Sequence, residues 1–144
     1  MQWIRDNYWL SDDKALLDMD TVTILLQATY WAFDRPKDMI EKAVRHSLCL
    51  GLYLEGAQIG FCRAVTDYET FTWICDVVIA ETHRGKGLGK WMVQRLVDHP
   101  LLQTRSQVLA TRDAHTLYER FDFQRTEYMK RMIKKGEPPS SHPA

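Results

Sequence analysis

Three of the seven glycines fall within one short stretch, Arg84-Gly85-Lys86-Gly87-Leu88-Gly89-Lys90. An apolar run, Phe71–Ile79, comes before it, and apolar residues at helical spacing follow it: Leu88, Met92, Leu96 and Val97. Glycines allow backbone torsions that other residues avoid, and free amide groups at a helix N-terminus attract phosphate. With its three cationic side chains, the stretch predicts a strand, a phosphate-binding loop and a helix in succession. The alternative is a tight turn that binds nothing.

The spacing of these glycines excludes the two commonest phosphate-binding loops. Lys90 is followed by Trp91, whereas a P-loop requires Ser or Thr there to hold magnesium. The dinucleotide-binding fingerprint reads GxGxxG, whereas the glycines here read GxGxG. Nucleotide binding by a P-loop is therefore disfavoured.

Helix and strand patterns on both sides of the loop predict a mixed arrangement. Before the loop we expect an edge strand near the start, helices over 21–31 (behind an N-cap at Asp20) and 36–47, and strands over 48–54, 59–65 and 71–79. After the third helix, a strand over 107–110 should pair in parallel with, or splay from, the strand over 71–79. A short helix capped by Asp113 and a last strand over 121–129 complete the prediction.

Composition and charge limit the class of protein. With 144 residues, 45% of them apolar, the chain has the size of one domain with one hydrophobic core. We expect a single domain over 1–133 and a disordered tail over 134–144. The 19 basic residues balance the 19 acidic ones, so we expect no nucleic-acid partner.

Cysteine spacing and hydropathy set further limits. Cys49, Cys62 and Cys75 form no CxxC pair and are odd in number, so we expect no disulfide framework and no metal site, with each cysteine a small buried strand residue. No apolar run approaches the ~20 residues that cross a bilayer, and the first residues lack a signal-peptide layout. We therefore expect a cytoplasmic protein with no membrane partner.

Two motifs in the chain resemble those of the GNAT superfamily of N-acetyltransferases. Residues 84–89 match its Q/R-x-x-G-x-G/A signature, and residues 114–123 (AHTLYERFDF) resemble its later A-x-x-LY-x-x-x-GF segment. The similarity extends over about residues 45–130, with Asp122 in place of the usual glycine. It implies an α/β (α+β) fold with a mixed, mostly antiparallel central sheet, a splayed parallel pair and helices on both faces.

The resemblance also implies acetyl-CoA as co-substrate, with no metal. The loop would hold its pyrophosphate, the strand before the loop would pair with its pantetheine arm, and Thr111 stands where many members carry an asparagine near that arm. The cofactor-binding residues expected in this way are Val77, Val78, Ile79, Arg84, Gly85, Lys86, Gly87, Leu88, Gly89, Lys90, Thr111 and Tyr118.

The implied reaction is direct attack by a primary amine, from a small molecule or a protein, on the thioester. Tyr118 occupies the position of the usual general acid, although a core tyrosine is the alternative. A backbone N–H of the preceding strand, that of Val78, is expected to stabilise the developing oxyanion. A degenerate acyl-CoA sensor is the competing function, and the sequence does not decide whether the chain forms a homodimer.

Candidates for the base that removes a proton from the amine are weaker. Asp76 could deprotonate or anchor a cationic acceptor, or be an ion-paired strand residue. Glu81 is either a base or a solvated surface acid, and His83 and His115 flank the two motifs. Six aromatic residues near the start could line the acceptor site or pack in the core: Trp3, Tyr8, Trp9, Tyr30, Trp31 and Phe33.

Overall fold

Six strands form one sheet in chain order, in a computed structural model that describes residues 1–133. The predicted tail over 134–144 lies outside the described residues. Neighbouring strands are antiparallel except β5 and β6, which are parallel. The strands are β1 (Gln2–Arg5), β2 (Tyr8–Ser11), β3 (Leu48–Leu54), β4 (Ala57–Thr66), β5 (Phe71–Ile79) and β6 (Ser106–Val108).

Helices cover both faces of the sheet. Alternation along β4 divides the core, because Phe61 packs on one side and Cys62 on the other. The Phe61 side is covered by α1 (Met19–Gln27) and α2 (Lys37–Arg45), and the Cys62 side by α3 (Leu88–Val97); a short α4 (His115–Glu119) follows β6. The predicted α/β (α+β) class, with its mixed sheet and helices on both faces, is confirmed.

A bulge interrupts β5. Phe61 pairs with Val78 and Arg63 pairs with Cys75, so one residue of β4 faces both Asp76 and Val77. Asp76 has a positive φ of 56°, which is the conformation that such an extra residue adopts when the strand must bend. The bulge reverses the alternation of β5 and bends the strand at this point.

The parallel pair separates just before this bulge. β5 and β6 pair only from Phe71 with Ser106 to Trp73 with Val108. Beyond Trp73, β5 continues to Ile79 while β6 has ended, so the rest of that edge of β5 has no strand partner within residues 1–133. The predicted splayed pair is therefore present.

Two predicted helix caps are wrong. Asp18, not Asp20, caps α1, because its side chain accepts hydrogen bonds from the amides of Asp20 and Thr21. Ala114, not Asp113, occupies the cap of α4, and Thr111 Oγ1 accepts from the Ala114 amide at 3.0 Å. The first helix also ends at Gln27, before the predicted end at residue 31.

The predicted last strand over 121–129 is also wrong. After α4 the chain turns at Asp122, which takes a positive φ of 66°, and no strand follows up to Ile133. The available edge, β6, has only three residues, which is a short template for a ladder. Tyr128 instead lies edge-on to Trp73 of β5, with ring centroids 6.2 Å apart.

The cysteines lie in β3, β4 and β5, as predicted. Cys49 and Cys62 are buried, whereas Cys75 is half-buried. Burial raises the pKa of Cys49 to about 12 and that of Cys75 to about 11, so these thiols remain protonated at neutral pH. In the described part of the chain, no helix has the length and apolar character needed to span a membrane.

The buried side chains of β3 should dominate stability. Leu50 is fully buried in the core beneath α3, so Leu50→Ala should lower the free energy of unfolding by about 2–5 kcal/mol. Ile24→Ala is the control, because 69% of this α1 side chain is exposed; it should change that energy by less than about 0.5 kcal/mol. Urea unfolding measures both, and equal losses would contradict this assignment of the core.

Candidate active site

The glycine loop presents free amide groups at the start of α3. Gly85 and Gly87 have positive φ values of 80° and 74°. Gly87 is the N-cap residue of α3, and it has no side chain that could accept a hydrogen bond from the first helical amides. The first helical hydrogen bond runs from the Trp91 amide to the Gly87 carbonyl at 3.1 Å. The amides of the three residues between them consequently lack helical acceptors, which is the arrangement that binds phosphate groups.

Cationic side chains surround these amides. Arg84, Lys86 and Lys90 are exposed, and Arg84 Nε also donates to the Ile79 carbonyl at 3.1 Å. Arg5 arrives from β1, where its Nη1 lies 3.4 Å from the Gly87 carbonyl oxygen. Sequence reasoning missed Arg5, because 82 positions separate it from Gly87 and only the fold brings them together.

The remaining loop residue, Leu88, is buried in the core beneath the sheet. Its side chain fixes the position of the loop, and only its amide faces the place where a ligand would lie. Gly89 has ordinary space around it, since a side chain added there would lie 3.8 Å from Ile79.

Backbone alternation decides which amides of β5 face the gap beside β6. The Ala80 amide donates to the Ile59 carbonyl of β4 at 2.8 Å. Because alternate amides of a strand point the same way, the Val78 amide also points to β4, where Val78 is opposite Phe61. The amides of Val77 and Ile79 therefore face the gap. This geometry favours the amide of Val77 or Ile79 over the predicted Val78 amide as the oxyanion donor.

A cavity of about 590 Å³ opens where β5 and β6 diverge. Its wall combines the bulged part of β5, the segment from Leu109 to Ala114, Tyr118 and aromatic side chains. A second cavity, of about 730 Å³, lies on the other side of β6 and also includes Tyr118 and Thr111. We call the first of these the β5–β6 cavity.

Tyr118 is a buried phenol shared by the two cavities. Only 9% of the residue is exposed, and its ring lies edge-on to Phe123 with centroids 6.0 Å apart. Burial raises the pKa of Tyr118 to about 12, so the hydroxyl is protonated at neutral pH. A protonated hydroxyl beside a cavity can donate a proton to a leaving group. The Thr111 Oγ1 atom already accepts a hydrogen bond from the Ala114 amide.

Asp76 is enclosed by donors. Its Oδ1 accepts from Trp31 Nε1 at 3.2 Å and from Arg35 Nη1 at 2.9 Å. Its Oδ2 accepts from the same Arg35 nitrogen at 2.9 Å and from Arg63 Nε at 2.6 Å, while Arg63 Nη1 also donates to Ser47. Only 2% of the Asp76 side chain is exposed. Of the two interpretations that the sequence left open for Asp76, the structure supports the ion-paired strand residue.

The other candidate bases lie elsewhere. Glu81 is exposed in a single helical turn after β5 and does not line the β5–β6 cavity. His83, in the same turn, lies edge-on to Tyr8 with ring centroids 6.5 Å apart. His115 lines the second cavity. None of the three is brought beside Asp76.

The aromatic residues near the start divide into two groups. Tyr30 and Trp31 line the β5–β6 cavity, and Trp73 and Tyr128, which sequence reasoning did not place there, join them. The other four lie away from its wall: Trp3, Tyr8 and Trp9 on the β1–β2 hairpin, and Phe33, which is exposed.

Three cations of the cavity wall were also missed by sequence reasoning. These are Arg35, Arg112 and Lys130. The guanidinium carbon of Arg112 lies 3.8 Å from the centroid of the Tyr30 ring, a close cation–π contact. The only sequence signal for Arg112 was its position next to Thr111, a predicted cofactor-binding residue. Within residues 1–133, no group of three or more His, Cys, Asp or Glu side chains is placed to hold a metal ion.

Residues 45–125 match the family model described as the acetyltransferase (GNAT) domain, and this match covers more than half of the chain. The chain belongs to the GNAT acetyltransferase family. A Xanthomonas campestris pv. campestris structure assigned to the GNAT family is 37% identical to this chain, with a TM-score of 0.83 over 88% of this chain and 93% of its own.

One further relative agrees with this assignment, and one further structure shares the fold. A Gibberella zeae protein provisionally described as an acetyltransferase is 36% identical, and the match covers 65% of this chain but only 64% of that relative. A GNAT family acetyltransferase from Elizabethkingia anophelis, solved with acetyl-CoA bound, has the same fold at 17% identity, with a TM-score of 0.67 over 92% of each chain.

The ion cluster predicts a large effect on stability. Asp76→Asn removes the carboxylate charge that two partly buried guanidinium groups share, so it should lower the free energy of unfolding by about 3 kcal/mol. Asp113→Asn makes the same chemical change at an exposed residue of the same cavity and should cost less than about 0.5 kcal/mol. Denaturant unfolding compares the two, and an Asp76→Asn protein as stable as the parent would contradict the ion-pair assignment.

Proposed function

We propose that the protein is an acetyl-CoA-dependent N-acetyltransferase that acts on a primary amine. The observation that supports this proposal is the placement of three features along β5. The strand leaves β6 just before the bulge, it has open amides along that edge, and a single helical turn connects it to the glycine loop. A buried, protonated phenol lies beside the same gap.

The residues present fit a ligand with a pyrophosphate and an extended, amide-bearing arm. At Gly85 an added Cβ would meet nothing within 4 Å, so the loop is open towards a ligand. The amides at the start of α3, with Arg5, Lys86 and Lys90 nearby, would hold the pyrophosphate. The amides of Val77 and Ile79 would pair with the arm, much as a further strand would. We assign Val78 and Leu88 positioning roles through their backbone and side-chain packing.

Acetyl-CoA, when bound, supplies a thioester whose carbonyl carbon accepts the amine. Tyr118 would donate its hydroxyl proton to the departing sulfur, because its raised pKa keeps the proton available at neutral pH. The cleft-facing amide of Val77 or Ile79 would stabilise negative charge on the carbonyl oxygen.

We do not assign Asp76 the part of a base. Its two oxygens already accept bonds from three side chains, so it would instead position Arg35 and Trp31 in the cavity wall. Positive charge around a bound amine disfavours the ammonium form and so lowers the pKa of the amine. Neutral amine would then form by loss of its proton to water, without Glu81.

Removal of the phenol hydroxyl should separate chemistry from binding. Tyr118→Phe should lower kcat by about 10²- to 10⁴-fold and leave the Kd for acetyl-CoA unchanged, because only the proton donor is lost. Thiol release measures kcat and calorimetry measures Kd.

Tyr68→Phe, in the exposed turn before β5, is the control and should retain full activity. Unchanged turnover in Tyr118→Phe would eliminate the general-acid role. Acetyl-CoA binding without turnover of any amine would instead favour the sensor.

The loop can be tested with two glycines of the same backbone conformation. Gly85→Ala and Gly56→Ala both force alanine to a φ near +80°, with free space for the new methyl group. This strain costs about 1–2 kcal/mol, so the two variants should lose similar stability. Only Gly85→Ala should weaken acetyl-CoA binding, by roughly tenfold, because only its loop must keep its torsions to bind. Equal Kd values in calorimetry for both variants would place the ligand elsewhere.

A further inference from the structure

We propose that the acceptor of this enzyme is an amine that also carries an anionic group, a carboxylate in the first instance, which Arg35 and Arg112 bind in the β5–β6 cavity. This inference rests on the proposed acetyltransferase function and names the substrate class of that site. It replaces the cationic acceptor that the sequence suggested for Asp76.

The Asp76 cluster carries one more positive charge than negative charge. Two guanidinium groups, of Arg35 and Arg63, share one carboxylate, and 27% and 15% of their side chains are exposed. A partly buried positive charge is therefore left without a counter-ion inside the cluster. An anion that enters the cavity would supply it.

Arg35 has hydrogen-bond donors that Asp76 does not use. Its Nη1 atom alone makes both bonds to Asp76, at 2.9 Å each. Its Nε–H and Nη2 groups donate to no side chain or backbone acceptor within residues 1–133, and they form one edge of the planar guanidinium. Such an edge matches the two oxygens of a carboxylate, and Asp76 holds it in a fixed orientation.

Cationic side chains outnumber carboxylates around the β5–β6 cavity. Four cationic side chains lie in its wall or directly behind it, against the two carboxylates of Asp76 and Asp113. These cations are Arg35, Arg63, Arg112 and Lys130. Neither Arg112 nor Lys130 has an ion-pair partner among the described residues. One anionic group on the acceptor would leave enough positive charge to keep its amine neutral.

A cation–π contact holds Arg112 in place, and no carboxylate among the described residues forms an ion pair with it. Its guanidinium lies over the ring of Tyr30, so one ring face that could have bound a cationic substrate is already occupied by a cation of the protein. Trp31, Trp73 and Tyr128 add aromatic surface to the same wall. The cavity therefore fits an apolar or aromatic body with an anion at one end and an amine at the other.

Binding of unreactive probes tests this inference without any turnover. The probes are 3-phenylpropionate, its neutral isostere 3-phenylpropanamide and the cation 3-phenylpropylammonium, measured by calorimetry on the full chain. The carboxylate should bind about tenfold or more tightly than the amide, because a charged hydrogen-bonded pair is lost in the amide. The affinity for 2-phenylethylphosphonate, compared with that for 3-phenylpropionate, distinguishes a phosphate-type acceptor from a carboxylate. Equal affinity for the amide, or tighter binding of the ammonium, would overturn the inference.

Variants assign the effect to the two arginines. Arg112→Gln and Arg35→Gln should each reduce the affinity for 3-phenylpropionate about tenfold and leave that for the amide unchanged. Arg35→Gln still leaves Asp76 paired with Arg63, so it should fold, and thermal melting of the variant checks this. Arg120→Gln, exposed at the end of α4 and outside both cavities, is the control. A carboxylate preference that both arginine variants retain would contradict the assignment.

Turnover separates this inference from the proposed function. L-phenylalanine and phenethylamine differ only in the carboxylate, so kcat/KM should favour phenylalanine and the preference should disappear in Arg112→Gln through KM. Turnover of phenethylamine at the same kcat/KM would support the acetyltransferase and overturn the anionic acceptor. Tight 3-phenylpropionate binding without turnover of either amine would support the anion site and overturn the proposed function.

Discussion

The separation of β5 from β6 is the constraint on which the rest of the site depends. Parallel pairing ends at Trp73, and the bulge at Asp76 and Val77 then turns the strand away while it remains hydrogen-bonded to β4. A non-glycine residue at positive φ costs about 1–2 kcal/mol, and aspartate tolerates it better than most residues. The bonds to the Asp76 carboxylate offset that cost. The ion cluster thus stabilises the strained residue at which β5 bends beside the cavity.

The same cluster determines the electrostatic character of the cavity. Because Asp76 is saturated by its donors, it supplies neither a free base nor a free anion. The positive charge that remains on Arg35, together with that on Arg112, gives the β5–β6 cavity the same sign of charge as the glycine loop. One strand thereby connects two cationic regions, one at the loop and one at the cavity. The buried hydroxyl of Tyr118 lies beside the second.

The features that the sequence predicted well are local, and those that it missed depend on pairing between distant segments. The glycine loop and β5 were predicted because their signals occupy consecutive residues. The partners of Asp76 could not be, since Arg35 lies 41 positions away and joins it only when α2 packs on the sheet. The direction of the Val78 amide depends on the register between β4 and β5, and the hydrophobic periodicity of one segment gives no information about that register. Residues 121–129 have a strand-like pattern, but the edge that they would need is only three residues long.

We propose that acetyl-CoA binds along the open edge of β5, and hydrogen exchange of individual amides, measured by NMR with and without saturating acetyl-CoA, tests this. The Val78 amide should exchange slowly in both states, because it already bonds to β4, whereas the amides of Val77 and Ile79 should become protected only when acetyl-CoA is present. Acetyl-CoA does not bind along this edge if Val77 and Ile79 exchange as fast at saturation as they do without it.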